Sequence, residues 1–274
     1  MCYKKIFLDT CVLSEIGRMN KEDRGQLLYN FSIVDKLQIV LTPFNLIEID
    51  NIPDDTVKQN IYSFLDWSYV GFAKNSDKIF EEEINMYFDG KPIDIIEFSV
   101  SFLQKDRNGD KFNFKTIKEA LLGNQEFIET KKAYDKKMIE MQNLERPLKD
   151  IDAFFNLMIF HRIYNLDKEF LKKLNGEFID FNKIPAYVTW AYSYANKIGS
   201  GAFRKKFTEM NDVSMSYVAP YVDIIVAEKK QVARYNEIIK KGLIKLLDNK
   251  KIKKYNEVIK RENNKIVFSL WIWN

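Results

Sequence analysis

Two acidic residues follow apolar runs at points where a carboxylate is able to do chemistry. Asp9 comes directly after the run IFL, and Glu228 comes directly after IIVA. If both runs are strands of one parallel sheet, the two carboxylates lie at the same edge of it, where open sheets of this kind bind ligands. We therefore treat Asp9 and Glu228 as candidate members of one site.

Two further acids are predicted to lie on the apolar faces of helices. Glu48 is four residues from both Phe44 and Ile52, so its carboxylate shares their stripe. If the segment NDVSMSYVA is helical, Asp212 shares a face with Met215. A buried carboxylate without a counter-charge is costly, so each of these acids requires an arginine or a metal ion nearby.

The residue types favour a hard cation over other catalytic groups. His161, within FFNLMIFHRIY, is the one histidine of the chain, which excludes a two-histidine zinc site, and we interpret it as a structural helix residue. Converging carboxylates without histidine or cysteine predict a site for Mg²⁺ or Mn²⁺, which activates water for attack on a phosphate. Taken singly, each acid also has a structural interpretation as a helix cap or a partner of the helix dipole.

Three strand-to-helix turns are predicted to position these acids. An apolar run at 5–9 leads into TCVLSEIGR, and QIVL leads to Thr42 as a helix cap with Pro43 at the first helical position. The third unit is IIVA followed by a helix that begins near Lys229. Repeated units of this kind predict an α/β fold with a mainly parallel sheet.

The stretch between the second and third units has helical periodicity and few strand features. We predict that residues 53–202 form a large all-helical insertion of about six helices that packs against the sheet. The sheet domain is then discontinuous and consists of residues 1–52 plus 203–274.

Composition narrows the class of protein. The 274 residues are 46% hydrophobic with only 10 Gly and 6 Pro, which excludes a disordered chain and disfavours an all-β fold. Cys2 and Cys11 lack metal-binding spacing, and the N-terminus lacks the features of a signal peptide, so a cytoplasmic location is expected. No apolar run approaches the roughly 20 residues of a membrane span, so no membrane association is expected.

Positive charge is concentrated near the C-terminus. Residues 229–265 contain 13 Lys and Arg against 4 Asp and Glu, which suits either a polyanion backbone or a solvated helix face. If the segment binds such a backbone, we expect sequence-independent contacts from Lys250, Lys251, Lys253 and Lys254. In the tail KIVFSLWIWN, packing of Trp271 and Trp273 is favoured over stacking on bases.

Taken in order, three segments resemble the PIN-domain nuclease family. They are IFLDTCVLSEI at 6–16, LTPFNLIEI at 41–49 and FTEMNDVSMSYVAPYVDIIVAEKK at 207–230, of which the last is the most specific. The resemblance covers residues 3–52 and 203–245 and leaves the helical stretch unmatched. It implies a three-layer α/β/α fold and Mg²⁺- or Mn²⁺-dependent hydrolysis of phosphodiester bonds, usually in RNA.

The resemblance also implies roles for individual residues. The acids that match the four of the family, as catalytic residues and metal ligands, are Asp9, Glu48, Asp212 and Glu228. Supporting residues are Thr10 and Asn211, and groups for the nucleic-acid backbone are Lys229, Lys230 and Arg234. Cys11 departs from the family's usual Asn, and Glu228 from its frequent Asp. Asp223 competes with Glu228 as fourth acid, but strand geometry places it at the opposite edge, bonded to the turn after Pro220.

The expected function is therefore that of an endoribonuclease of bacterial toxin–antitoxin or phage-defence type. Its partner is nucleic acid, RNA in preference to DNA, and the sequence leaves open an antitoxin or activator protein, a homo-oligomer, and one or two metal ions. A catalytically silent PIN fold that binds RNA or protein is the alternative. A phosphoryl-group enzyme acting on small nucleotides is a third possibility, disfavoured because no glycine-rich phosphate loop is present.

Overall fold

The structure is a computed structural model that describes residues 3–100, 150–199, 209–249, 251–262 and 265–268, with a few positions between 123 and 136. Predictions for Cys2, Lys250, Trp271, Trp273 and most of 101–149 lie outside the described residues.

A six-stranded sheet forms the centre of the described fold. Its strands are β1 (Lys4–Leu8), β2 (Leu37–Leu41), β3 (Val70–Ala73), β4 (Ile96–Val100), β5 (Ile224–Ala227) and β6 (Ile252–Lys254). The order across the sheet is β4-β3-β2-β1-β5-β6, and every neighbouring pair is parallel except β3 and β4. A separate antiparallel hairpin follows, made of β7 (Ile259–Glu262) and β8 (Lys265–Phe268).

Helices surround the sheet. The α-helices are α1 (Thr10–Arg18), α2 (Lys21–Tyr29), α3 (Pro43–Asp50), α4 (Asp55–Asp66), α5 (Ser76–Asn85), α6 (Ile151–Leu166), α7 (Phe170–Lys173), α8 (Pro185–Gly199), α9 (Glu209–Met215), α10 (Lys229–Lys240) and α11 (Tyr255–Val258). Short π and 3₁₀ segments cover Asn30–Val34, Phe181–Lys183 and Ser216–Tyr221. Within the described ranges, no helix is both long and apolar enough to cross a membrane.

The central strands are apolar on both faces because both faces are covered. In β1, Phe7 points into one hydrophobic cluster while Ile6 and Leu8 point into another. The first cluster contains side chains of α5, α6 and α8, and the second contains side chains of α1, α3 and α4. Buried parallel strands read as continuous hydrophobic runs for this reason. The arrangement is compatible with the predicted three layers.

The three predicted strand-to-helix turns are present. Thr42 caps α3 by accepting a hydrogen bond from the Asn45 amide, and Pro43 occupies the first turn of that helix. The third unit runs from β5 into α10, which begins at Lys229. The sequence therefore predicted the sheet's centre correctly.

The prediction that residues 53–202 are all helical is wrong at two places. β3 pairs with β2, and β4 pairs with β3, so both strands belong to the sheet. β3 is only four residues long, VGFA, and its pairing with β2 outweighs the helical patterns on either side of it. The helices of this stretch do pack on the sheet as expected, since Ile159 and Tyr187 share a cluster with Phe7.

The strand order creates a crevice at one defined point. The chain continues from β1 to β2, which pairs with β1 on one side, and later forms β5, which pairs with β1 on its other side. Helices that leave two such neighbouring strands diverge, and the space between them lies at the carboxyl ends of the strands. β1 and β5 meet at this point, and Asp9 and Glu228 are the residues that follow them.

Candidate functional site

A cavity of about 440 Å³ opens at the carboxyl ends of β1 and β5. Its lining contains all four acids predicted from the sequence, together with both predicted supporting residues. The lining residues are Asp9, Thr10, Cys11, Ser14, Glu48, Asn51, Ile52, Pro53, Asn211, Asp212, Glu228 and Lys230. The fold therefore brings together Asp9 and Glu228, which are 219 positions apart in the chain.

Asp9 and Glu228 occupy the N-cap positions of α1 and α10, yet neither side chain caps its own helix. The Asp9 amide donates to the carbonyl of Val226 at 2.9 Å, which fixes the end of β1 against β5. The Glu228 amide in turn donates to Oδ2 of Asp9 at 3.3 Å. The interpretation of these two carboxylates as caps of the helices that they begin does not hold, and both side chains line the cavity.

Glu48 is positioned by a network that starts at the beginning of α3. The capping box between Thr42 and Asn45 fixes the Asn45 side chain, whose Nδ2 donates to Oγ1 of Thr10 at 3.2 Å. The carboxylate of Glu48 is hydrogen-bonded by the side chains of Thr10 and Asn211. Thr10 thus links the end of β1 to the acid on α3.

Asp212, on α9, faces a cation supplied by α10. Nη2 of Arg234 lies 3.3 Å from Oδ2 of Asp212, and the two side chains are 7% and 15% exposed. This pair provides the arginine that a buried carboxylate at this place requires. It also contradicts the prediction that Arg234 contacts a nucleic-acid backbone, because the guanidinium is buried against the site.

The acids of the cavity share an excess of negative charge. The pKa of Asp212 is raised to about 8, first by burial and then by the charge of Asp9, with Arg234 opposing the rise. Burial likewise raises the pKa of Glu48 to about 7, against the hydrogen bond from Thr10. The pKa of Asp9 is also raised, mainly by burial. These shifts indicate carboxylates close enough to repel one another, with less positive charge than they need.

The donor set suits a hard divalent cation, although the side chains do not close around one point. Carboxylate oxygens are the ligands that Mg²⁺ and Mn²⁺ prefer. In the part of the chain that the structure describes, no group of three or more His, Cys, Asp and Glu side chains is arranged to hold a metal ion.

The remaining predicted residues divide between the cavity and other places. Lys230 lines the cavity, and Lys229 is exposed beside it on the first turn of α10. Asp223 lies at the opposite end of β5, as predicted, but its carboxylate accepts from the Lys5 amide at 2.7 Å rather than from the turn after Pro220. The reason is that β5 runs parallel to β1, so its first residues face the start of β1. His161 is exposed on α6 and does not line the cavity.

Cys11 belongs to the cavity wall, where the thiol lies 3.5 Å from Oδ2 of Asp9 and is placed to donate to it. Burial raises the pKa of this thiol, and the neighbouring charge of Asp9 raises it further. Cys11 is therefore a neutral thiol beside the first acid and not a nucleophile.

Sequence reasoning missed residues that orient the acids. Asn45 follows Thr42 by three, so the capping-box pattern was available as a signal. Gln231 precedes Arg234 by three and shares its helix face, but this spacing alone does not distinguish a site residue from any buried polar residue. Ser14 lines the cavity without any signal in the sequence.

Comparisons of this chain with family models, with curated proteins and with solved structures give no match. The geometry of the cavity is therefore the basis for any functional assignment.

We expect the stability of the metal-free protein to fall as pH rises. The pKa values of Glu48 and Asp212 in the folded chain, about 7 and about 8, exceed those of exposed acids. The native state therefore binds more protons than the unfolded state between about pH 4 and pH 8, and the free energy of unfolding decreases through that window.

Thermal melts at pH 5 to 8, with and without Mn²⁺, measure this effect. Mn²⁺ should restore most of the loss at pH 8, and Asp212→Asn should reduce both the loss and the restoration. Glu83, whose pKa burial raises to about 8 away from the cavity, contributes a part that Mn²⁺ does not restore. A melting temperature that rises toward pH 8 without metal would contradict the charge balance described above.

Glu228 and Asp223 should respond oppositely to substitution. Asp223→Ala removes an acceptor for the Lys5 amide, so it should lower stability by about 1 kcal/mol while the stabilisation by Mn²⁺ is kept. Glu228→Gln should leave metal-free stability nearly unchanged and weaken the stabilisation by Mn²⁺. Denaturant unfolding of both variants at pH 8, with and without Mn²⁺, checks this. If Asp223→Ala weakened the stabilisation by Mn²⁺ and Glu228→Gln did not, Asp223 would have to be assigned to the site in place of Glu228.

Proposed function

We propose that this protein is a PIN-like nuclease that hydrolyses phosphodiester bonds with Mg²⁺ or Mn²⁺. The observation that carries the proposal is that Asp9 and Glu228 follow the neighbouring strands β1 and β5 without capping the helices that begin there, and line one cavity together with Glu48 and Asp212. The ion pair with Arg234 accounts for Asp212 alone, and neither helix caps nor the other described ion pairs account for Asp9, Glu48 and Glu228 at this topological switch point.

The acids supply oxygen donors suited to a divalent cation. Asp9 and Asp212 would be its principal protein ligands, and Glu48 and Glu228 would bind it or orient water. A bound cation would act as a Lewis acid toward the phosphate and would lower the pKa of water. The raised pKa values of Asp212 and Glu48 support this assignment, because bringing a cation among these carboxylates relieves their repulsion.

Glu48 is the residue best suited to handle a proton. Burial raises the pKa of Glu48 to about 7, and a cation bound beside it would lower that pKa, so the carboxylate would be ionised at neutral pH and able to accept a proton or a hydrogen bond from water. The Thr10 hydroxyl and the Asn211 amide hold its oxygens in place, so the acceptor is positioned before the substrate arrives. Glu48 therefore serves as the general base or orients the attacking water.

Lysines beside the cavity favour a polyanionic substrate. Lys230 lines the cavity, Lys229 is exposed next to it, and β6 carries Lys253 and Lys254 beside the last residues of β5. Cations in this position would contact phosphates on either side of a bond held at the acids, and such contacts are independent of base sequence. RNA is the proposed substrate, and toxin–antitoxin or antiviral defence is the proposed setting.

A second candidate function is that of a catalytically silent module that binds RNA or protein. It is favoured by one observation, that the described residues hold no group of three or more His, Cys, Asp and Glu side chains arranged for a metal ion. In that case the lysines bind a polyanion and the acids are not used in chemistry. The two candidates differ in whether bound RNA is cut.

Cleavage assays on total RNA, single-stranded DNA and double-stranded DNA should separate these functions. We expect RNA cleavage with Mn²⁺ or Mg²⁺, its loss with EDTA and its return with added metal. Asp9→Asn and Asp212→Asn should each lower the rate by about 100-fold or more, because each keeps the side-chain size and removes ligand charge. Glu237→Gln, at an exposed position of α10, is the matched control and should cleave like wild type.

Cleavage that survives exhaustive chelation, or near-wild-type rates in both Asp variants, would contradict the proposed nuclease. Binding of RNA without cleavage under any metal condition would support the silent module instead.

A further inference from the structure

Arg234 is the buried cation next to the acids, and it does not line the cavity. It shares the inner face of α10 with Gln231 and Tyr235, and these three residues are 6%, 2% and 0% exposed. Its guanidinium donates to Oε1 of Gln231 and, at 3.3 Å, to Oδ2 of Asp212. Arg234 thus reaches an acid of the site from behind, without access to a substrate in the cavity.

Gln231 completes the connection between α9 and α10. Its amide nitrogen donates to the main-chain carbonyl of Asp212 at 3.0 Å and to the hydroxyl of Tyr235 at 2.8 Å. Asp212 is therefore held at its main chain by Gln231 and at its carboxylate by Arg234. Both donors stand on the helix whose N-cap is Glu228, so the third and fourth acids are tied to one rigid element.

We propose that Arg234 is a positioning residue that acts through Asp212, holding this carboxylate toward the cavity and supplying a permanent counter-charge before any metal ion binds. Where it concerns cleavage, this inference rests on the proposed nuclease function. The planar guanidinium is suited to the role because its fixed fork of donors reaches two acceptors at once, whereas a lysine ammonium is a point charge.

Charge placement explains why the chain uses an arginine here. Asp212 has Asp9, Glu48 and Glu228 as negative neighbours, and Arg234 is the cation that opposes them. Removing one partner of a buried ion pair leaves the other charge uncompensated, which is strongly destabilising. Removing both partners avoids that cost, so the two residues are expected to be energetically coupled.

A double-mutant cycle on the metal-free full chain, measured at a pH above the Asp212 pKa of about 8, tests this coupling. Arg234→Gln should lower the melting temperature, and adding Asp212→Asn to it should raise the melting temperature again, because the unpaired carboxylate is gone. Arg234→Lys should retain part of the stability, since it keeps the charge and loses the fork. Lys240→Gln, an exposed change of equal charge on α10, should be additive with Asp212→Asn.

Kinetics distinguish positioning from packing. Arg234→Gln should lower kcat for RNA cleavage by about 10- to 100-fold with little change in KM, and Arg234→Lys should recover part of it. Additive effects of Arg234→Gln and Asp212→Asn on melting temperature would overturn the inference, as would a raised KM at unchanged kcat, which means direct substrate contact. A wild-type chain that neither binds Mn²⁺ nor cleaves would reject the proposed function, while the melting cycle still decides the pairing.

Discussion

The energetic cost of burying like charges is the constraint on which the site depends. Four carboxylates line one cavity at the carboxyl ends of β1 and β5, and burial raises the pKa of three of them, Asp9, Glu48 and Asp212. Desolvation opposes their ionisation, and their mutual repulsion adds to it. Two interactions offset part of this cost: Arg234 forms an ion pair with Asp212, and the Thr10 hydroxyl donates a hydrogen bond to Glu48. The negative charge that these interactions leave uncompensated is the reason to expect a bound cation.

The fold tolerates this concentration of charge because different parts of it stabilise the sheet and form the site. The central strands are covered on both faces, so the sheet is held together by apolar packing and does not need the acids. Strand order then fixes where α1 and α10 diverge and leaves a cavity between them. The acids stand on four different elements but are linked by hydrogen bonds, since the Glu228 amide donates to Asp9 and α10 holds Asp212 through Gln231 and Arg234.

Much of the fold could be predicted from the sequence because its signals are local. Thr42 followed by Pro43 marks a helix start, and the run IIVA before Glu228 marks a buried strand. β3 could not be predicted in this way, since VGFA becomes a strand through its pairing with β2, and that partner is distant in sequence. Strand formation depends on such tertiary context more than helix formation does.

In the candidate site, too, some residues have local sequence signals and others depend on tertiary contacts. The four acids could be found because each interrupts an apolar pattern, but Arg234 was predicted to contact a nucleic-acid backbone because it lies just after Glu228 in the sequence. Its burial follows from the packing of α10 on α9, which no local pattern encodes. Asn45 was likewise recognisable only as part of a capping box, and its contact with Thr10 requires the adjacent strand.

Direct counting of bound Mn²⁺ tests the central claim that these carboxylates are a cation site. Electron paramagnetic resonance of free Mn²⁺, titrated into metal-stripped protein at pH 8, reports how much of the ion the chain takes up. The account predicts uptake of at least one ion per chain by the wild type and its loss in the double variant Asp9→Asn, Asp212→Asn. Equal uptake by both proteins, or none by the wild type, would contradict it.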